Sequence, residues 1–129
     1  MSYYIVKVSS DDQIETIKKE RIDLDLKELQ KLVDGYIEVV SPIMLREVYP
    51  DLKMIVNESG KLYDLPVNRM GTALYGNPDD CIVGDIVFCT TFNPDPEADP
   101  DIYAFDQEDY ERLISWLPRL LKKLKNVPI

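Results

Sequence analysis

The chain has no histidine and only two cysteines, Cys81 and Cys89, in 129 residues. Without an imidazole there is no Ser-His-Asp or Cys-His catalysis, no histidine-bearing zinc site and no side chain that ordinarily titrates near neutral pH. Two thiols are too few for a Cys-only zinc site or a disulfide framework, and a domain of this length buries enough surface to fold without either. Cys89 ends the apolar run Ile86-Val87-Phe88, where a reduced thiol acts as a small hydrophobe rather than as a nucleophile or redox centre. No apolar run approaches the roughly 18 residues that a membrane span needs. Met1 to Val8 begins at once with a strand-like pattern instead of a basic start and an apolar signal segment, which implies a cytoplasmic protein. Basic residues are scarce as well, with 15 Lys and Arg against 24 Asp and Glu and a net charge of −9. A chain this acidic is repelled by phosphate backbones, so direct nucleic-acid binding is not expected.

What is present is ordinary globular composition, 45% apolar and 30% charged, without repeats or linkers. One domain over 1–129 follows. The charge is unevenly placed. Eleven carboxylates and no Lys or Arg lie between Asp79 and Glu111, whereas Arg112, Arg119, Lys122, Lys123 and Lys125 follow without an acid among them. One reading is a solvated face that keeps the protein soluble. The other is a face for a partner with a basic surface, such as the DNA-binding channel of another protein.

The periodicities predict an α+β fold with a mostly antiparallel sheet. Tyr4, Val6 and Val8 alternate in a first strand, Ser9 to Asp12 is a turn, and Gln13 to Ile22, though ambiguous in period, reads as a second strand of a hairpin. Asp25 and Glu28 have capping-box spacing, which starts a short helix over about 25–34 that Gly35 should end in the left-handed conformation. Tyr36 to Val40 is a strand, Pro42 to Pro50 a loop or irregular turn, and Leu52, Met54 and Val56 alternate in another strand. Asn57-Glu58-Ser59-Gly60 predicts a turn from which Lys61-Leu62-Tyr63 returns antiparallel. Pro66 to Pro78 reads as a loop with at most one helical turn. Cys81 to Phe92 is the most apolar run and should be a central strand covered on both faces, closing a core motif region over 35–92. Asp106 caps a C-terminal amphipathic helix over about 107–125, with Glu108 and Asp109 in its first turn and lysines in its last. Pro118 falls on its solvent side and should kink or split it.

Between these elements lies Asn93 to Asp101, an acidic, proline-rich loop. Asp95, Glu97, Asp99 and Asp101 alternate as in some calcium loops, but the sharp-turn glycine is missing and prolines separate the would-be ligands. No metal and no cofactor are therefore expected. More polar specificity than folding requires gathers at Asn57, Glu58, Asn68 and Arg69, with Glu38 close by in the preceding strand. An arginine fork beside an amide and a carboxylate can grip an anionic or planar group. The same residues have a structural alternative: Asn57 bonding the backbone of its turn, and Arg69 clamped on Glu38 or Glu58.

Gly35-Tyr36-Ile37-Glu38, Asn57-Glu58-x-Gly60-Lys61-Leu62, Leu65-Pro66-x-Asn68-Arg69 and Ile82-Val83-Gly84-Asp85 follow one another in that order, preceded by Leu29-Gln30-Lys31-Leu32-Val33. In this order the chain resembles the bacterial domain-of-unknown-function family 3846, from about the first strand to about Val87. The resemblance implies a compact domain carried largely by phages and conjugative elements, whose accessory proteins often bind or inhibit host factors. It implies no activity. The segment Pro42 to Pro50 departs from the pattern as an insertion, and the acidic loop and C-terminal helix lie beyond it.

Three functions follow as expectations. The first is a non-enzymatic binding or inhibitory protein whose partner has a basic surface. The second is a binder of a small anion or nucleotide, or an enzyme, using Asn57, Glu58, Asn68 and Arg69, whose side chains would then converge on one pocket. The third is a homodimer formed through the leucine-rich last helix.

Overall fold

The centre of the fold is its most apolar strand. In the computed structural model, which describes residues 1–91, Glu97 and 101–126, Ile86–Thr90 (β5) is buried along its whole length. It is the middle strand of a five-stranded antiparallel sheet of order β2-β1-β5-β4-β3. Tyr3–Val8 (β1) pairs with Ile14–Lys19 (β2) as a hairpin, Val8 facing Ile14 and Tyr3 facing Lys19. On the other side Leu52–Asn57 (β4) pairs with β5 and with Ile37–Val40 (β3).

Because side chains alternate across a strand, the sheet has two apolar faces and both are covered. Ile5, Ile55, Val87 and Cys89 pack with Leu29 and Val33 of the helix Leu26–Val33 (α1). Val8, Met54, Ile86 and Phe88 pack on the other face against Met70 and Leu74 of the helix Arg69–Tyr75 (α2). Leu113, Leu117 and Leu121 of the helix Gln107–Leu124 (α3) join them there. Leu113, Leu117 and Leu121 of the α3 leucine stripe are thus buried within the chain's own core. Burial pushes the Cys89 thiol far up, outweighing the nearby Lys53, as befits an inert core residue.

Several local expectations are corrected. Asp34, not Gly35, takes the left-handed position after α1, with φ 60°. Gly35 is needed for closeness instead, since a Cβ there would lie 2.6 Å from the Asn57 amide nitrogen. Lys61-Leu62-Tyr63 is not a strand. Residues 58–64 form successive turns, closed by bonds such as Leu65 N–H to the Gly60 carbonyl (3.0 Å), and Leu62 and Tyr63 are exposed with no sheet to bury them. The supposed loop of Pro66 to Pro78 contains α2, capped by Asn68 and ended by Gly76 at φ 72°. The strand expected from Cys81 begins only at Ile86, after a bend at Gly84 with φ 79°. Pro118 is exposed as expected, but α3 runs through it unbroken and is not split. The Pro42 to Pro50 segment holds one 3-10 turn at Ile43–Leu45. Of the acidic-loop carboxylates, Asp95 and Asp99 lie outside the described residues.

Candidate functional site

Asn57 ends β4, where its buried amide reaches across to the end of α1. Nδ2 donates to the carbonyls of Val33 (3.0 Å) and Asp34 (3.1 Å), and Oδ1 accepts from Ser59 N–H (2.8 Å). The amide satisfies two helix-end carbonyls and starts the next turn, so its hydrogen-bonding groups are used by the fold. Asn68 is wholly buried. Its Oδ1 caps α2 by accepting from Gly71 N–H (2.9 Å), and its Nδ2 donates to the carbonyls of Val8 (3.0 Å) and Gly84 (2.9 Å). Arg69 turns the other way. Its Nε lies 3.4 Å from an Asp12 carboxylate oxygen, and Nη1 donates to the Leu124 carbonyl (3.4 Å). It ties the β1–β2 turn to the end of α3 rather than pairing with Glu38 or Glu58.

Of the five residues singled out from the sequence, Glu38, Asn57 and Glu58 share a cleft of about 320 Å³, together with Lys61, Tyr75 and Asp80. Lys61 and Asp80 are ion-paired in it. Asn68 and Arg69 are not among its walls, so the structure does not gather the whole cluster in one place.

A second cleft, also about 320 Å³, opens between the segment Val48–Leu52 and the first turns of α3. Leu52, Phe105 and Leu113 supply apolar surface, while Asp51, Asp106, Glu108 and Asp109 supply carboxylates. Asp106 is held as the α3 cap, its carboxylate accepting from Asp109 N–H (2.8 Å). Tyr49 is fixed from two sides: the Trp116 indole N–H donates to its hydroxyl (2.9 Å), and the Arg112 guanidinium lies 4.3 Å from its ring centre. Partial burial raises the Asp109 pKa above its ordinary value, and the neighbouring Asp106, Glu108 and Asp51 carboxylates push it further in that direction. Arg112 opposes the rise without cancelling it. Among the described residues no three of His, Cys, Asp and Glu come together as metal ligands, so these acids line the cleft without converging on a point.

Sequence reading missed this cleft because Asp51 is more than fifty positions from α3. Asp106, Glu108 and Asp109 were explained by helix capping and dipole alone.

The family model described as domain of unknown function (DUF3846) matches residues 1–114. The chain belongs to the DUF3846 family. The match extends the resemblance past Val87, so the acidic loop and the first two turns of α3 fall inside it, and with them every residue lining the second cleft. No curated protein and no solved structure matches the chain.

The motifs that carried the resemblance interlock. Gly35 leaves room for the Asn57 amide, a Cβ on Gly60 would lie 2.8 Å from Val83, and one on Gly84 would lie 2.9 Å from Leu65. Asn68 then holds the Gly84 carbonyl. In this DUF3846 domain those residues fasten β4, the turn after it, α2 and the approach to β5 to one another.

Proposed function

We propose that this DUF3846 domain is a non-enzymatic binding module, an accessory protein of mobile elements that engages or inhibits a cytoplasmic protein through that protein's basic surface. The observation that carries this reading is the cleft joining apolar walls to Asp51, Asp106, Glu108 and Asp109, four carboxylates against the single cation Arg112. Crowded carboxylates against low-dielectric walls focus negative potential. Asp109 in particular is under-stabilised as an anion, as the direction of its pKa shows. An ammonium or guanidinium group from a partner supplies the charge it lacks, while its aliphatic stem lies on Leu52 and Leu113.

The test is binding of a fluorescent arginine-rich peptide at low salt. Asp109→Asn and Glu108→Gln should each weaken binding by about fivefold, equivalent to roughly 1 kcal/mol. Glu15→Gln, which removes the same charge from exposed β2, should change it by less than about twofold. Equal losses in all three variants would mean that net charge alone attracts the peptide, and would refute a role for the cleft.

A second reading is favoured by the other cleft, where Glu38, Asn57 and Glu58 stand beside the Lys61–Asp80 pair. There a small ligand would meet carboxylates and one ammonium. Calorimetry with nucleotides and simple anions, repeated on Lys61→Ala, would distinguish it.

A further inference from the structure

The sheet has two open edges, and they are not alike. β2, with sequence Ile-Glu-Thr-Ile-Lys-Lys, carries exposed Glu15 and Lys18, the kind of charge that keeps a strand edge from pairing. β3, with sequence Ile-Glu-Val-Val, carries Glu38 as its one charge, and its Val39 side chain is 45% exposed. Large apolar side chains are exposed beside it too: Tyr36 precedes the strand, and Leu62 lines the same cleft as Glu38 and Val40.

The hydrogen-bond phase of the sheet shows which backbone groups face outward. Glu58 N–H bonds the Tyr36 carbonyl (2.9 Å), and Thr91 N–H bonds the Asp51 carbonyl (2.8 Å). Bonded pairs alternate along an antiparallel ladder, so Glu38 and Val40 bond to β4 while Ile37 and Val39 direct their N–H and C=O groups away from the sheet.

We propose that this edge is a self-association site, at which β3 pairs antiparallel with β3 of a second copy about a two-fold axis. A two-fold contact uses the same strand twice and closes, whereas β3 joining the charged β2 edge of another copy would be open-ended. Two registers that use the outward groups keep three of the four strand residues paired with the partner strand. One sets Glu38 directly opposite Glu38 of the partner copy, which like charge disfavours. The other sets Val39 opposite Val39 of the partner copy and Glu38 opposite Val40, extending the ladder from Ile37 to Ser41, and this is the register proposed. The result is a ten-stranded sheet in which the second copy walls the open side of the cleft lined by Glu38 and Val40. The contact is separate from the acidic cleft at α3 and does not rest on its reading.

The experiment is sedimentation equilibrium of the full chain from micromolar to millimolar concentration. Wild type should dimerise, and more strongly as salt screens the net charge of −9 on each copy. Binding of a basic partner should weaken with salt, so the two readings fail separately. Val39→Pro removes one outward N–H and no bond to β4, and should abolish the dimer while leaving the urea midpoint within error of wild type. Val39→Lys, which keeps the backbone donor, should weaken dimerisation at least tenfold and serves if the proline variant does not fold. A wild-type chain that stays monomeric throughout, or a folded Val39→Pro or Val39→Lys variant that dimerises as wild type does, would overturn the proposal.

Discussion

Replacing Asn68 tests whether its amide belongs to the scaffold or to a ligand. The side chain is fully buried and makes three hydrogen bonds, to Gly71 N–H and to the carbonyls of Val8 and Gly84. Asn68→Ala removes a helix cap, worth about 1 kcal/mol. It also deprives two buried carbonyls of a donor, at about 1–3 kcal/mol each when no water replaces it. A loss of about 3–7 kcal/mol is expected, against a total of about 5–15 kcal/mol for a domain of this kind. Asn68→Asp keeps the capping oxygen but turns a second oxygen toward those carbonyls. Burial and that repulsion raise the introduced carboxyl's folded pKa above its unfolded value, so the folded state binds the extra proton more tightly. The penalty is therefore smallest at acid pH and grows as pH rises through the folded pKa. Urea unfolding followed by far-ultraviolet circular dichroism measures both variants. An Asn68→Ala loss under about 1 kcal/mol, or an Asn68→Asp penalty that shrinks as pH rises, would refute the reasoning.

Asp34→Gly should stabilise the domain by about 0.5–1 kcal/mol, because glycine relieves a left-handed φ of 60° at the end of α1; a lower urea midpoint would show that the aspartate side chain matters there. Pro118→Ala should stabilise by about 1–3 kcal/mol, since the exposed proline interrupts the hydrogen bonding of an otherwise continuous α3; thermal unfolding checks this. Asp109 has a raised folded pKa, so the wild type loses stability as pH rises from the ordinary value of 3.8 through the folded one. Asp109→Asn removes that dependence, and its stability relative to wild type should increase over the same range by under about 1 kcal/mol, read from urea midpoints at acid and neutral pH.

Much of the fold could be read from pattern because the relevant physics is local. The alternation in Tyr3 to Val8, the Asp25 and Asp106 caps and the leucine stripe of α3 all depend on neighbours within a few residues. The errors fall where a local signal had two meanings. Gly76 marked a loop by composition but ends a helix, and Gly35 looked like a left-handed cap but is an opening for a side chain 22 positions away. The polar residues Asn57, Asn68 and Arg69 stood out correctly as unusual, yet a buried amide with every hydrogen bond satisfied looks the same in sequence as one reaching for a ligand.

The sequence by itself determined the balance of elements, the amphipathic faces, the absence of imidazole chemistry and the excess of negative charge, each a property of composition or short-range periodicity. Only the tertiary structure decided which polar groups are used up inside the fold and which remain at its surface. It brought Asp51 beside the first turn of α3, sent Arg69 to Asp12, and left β3 as a sheet edge whose Ile37 and Val39 backbone groups face outward. Those outcomes depend on which strands become neighbours, and strand order is set by burying both faces of one sheet at once, a condition on the whole chain that no short stretch of it records.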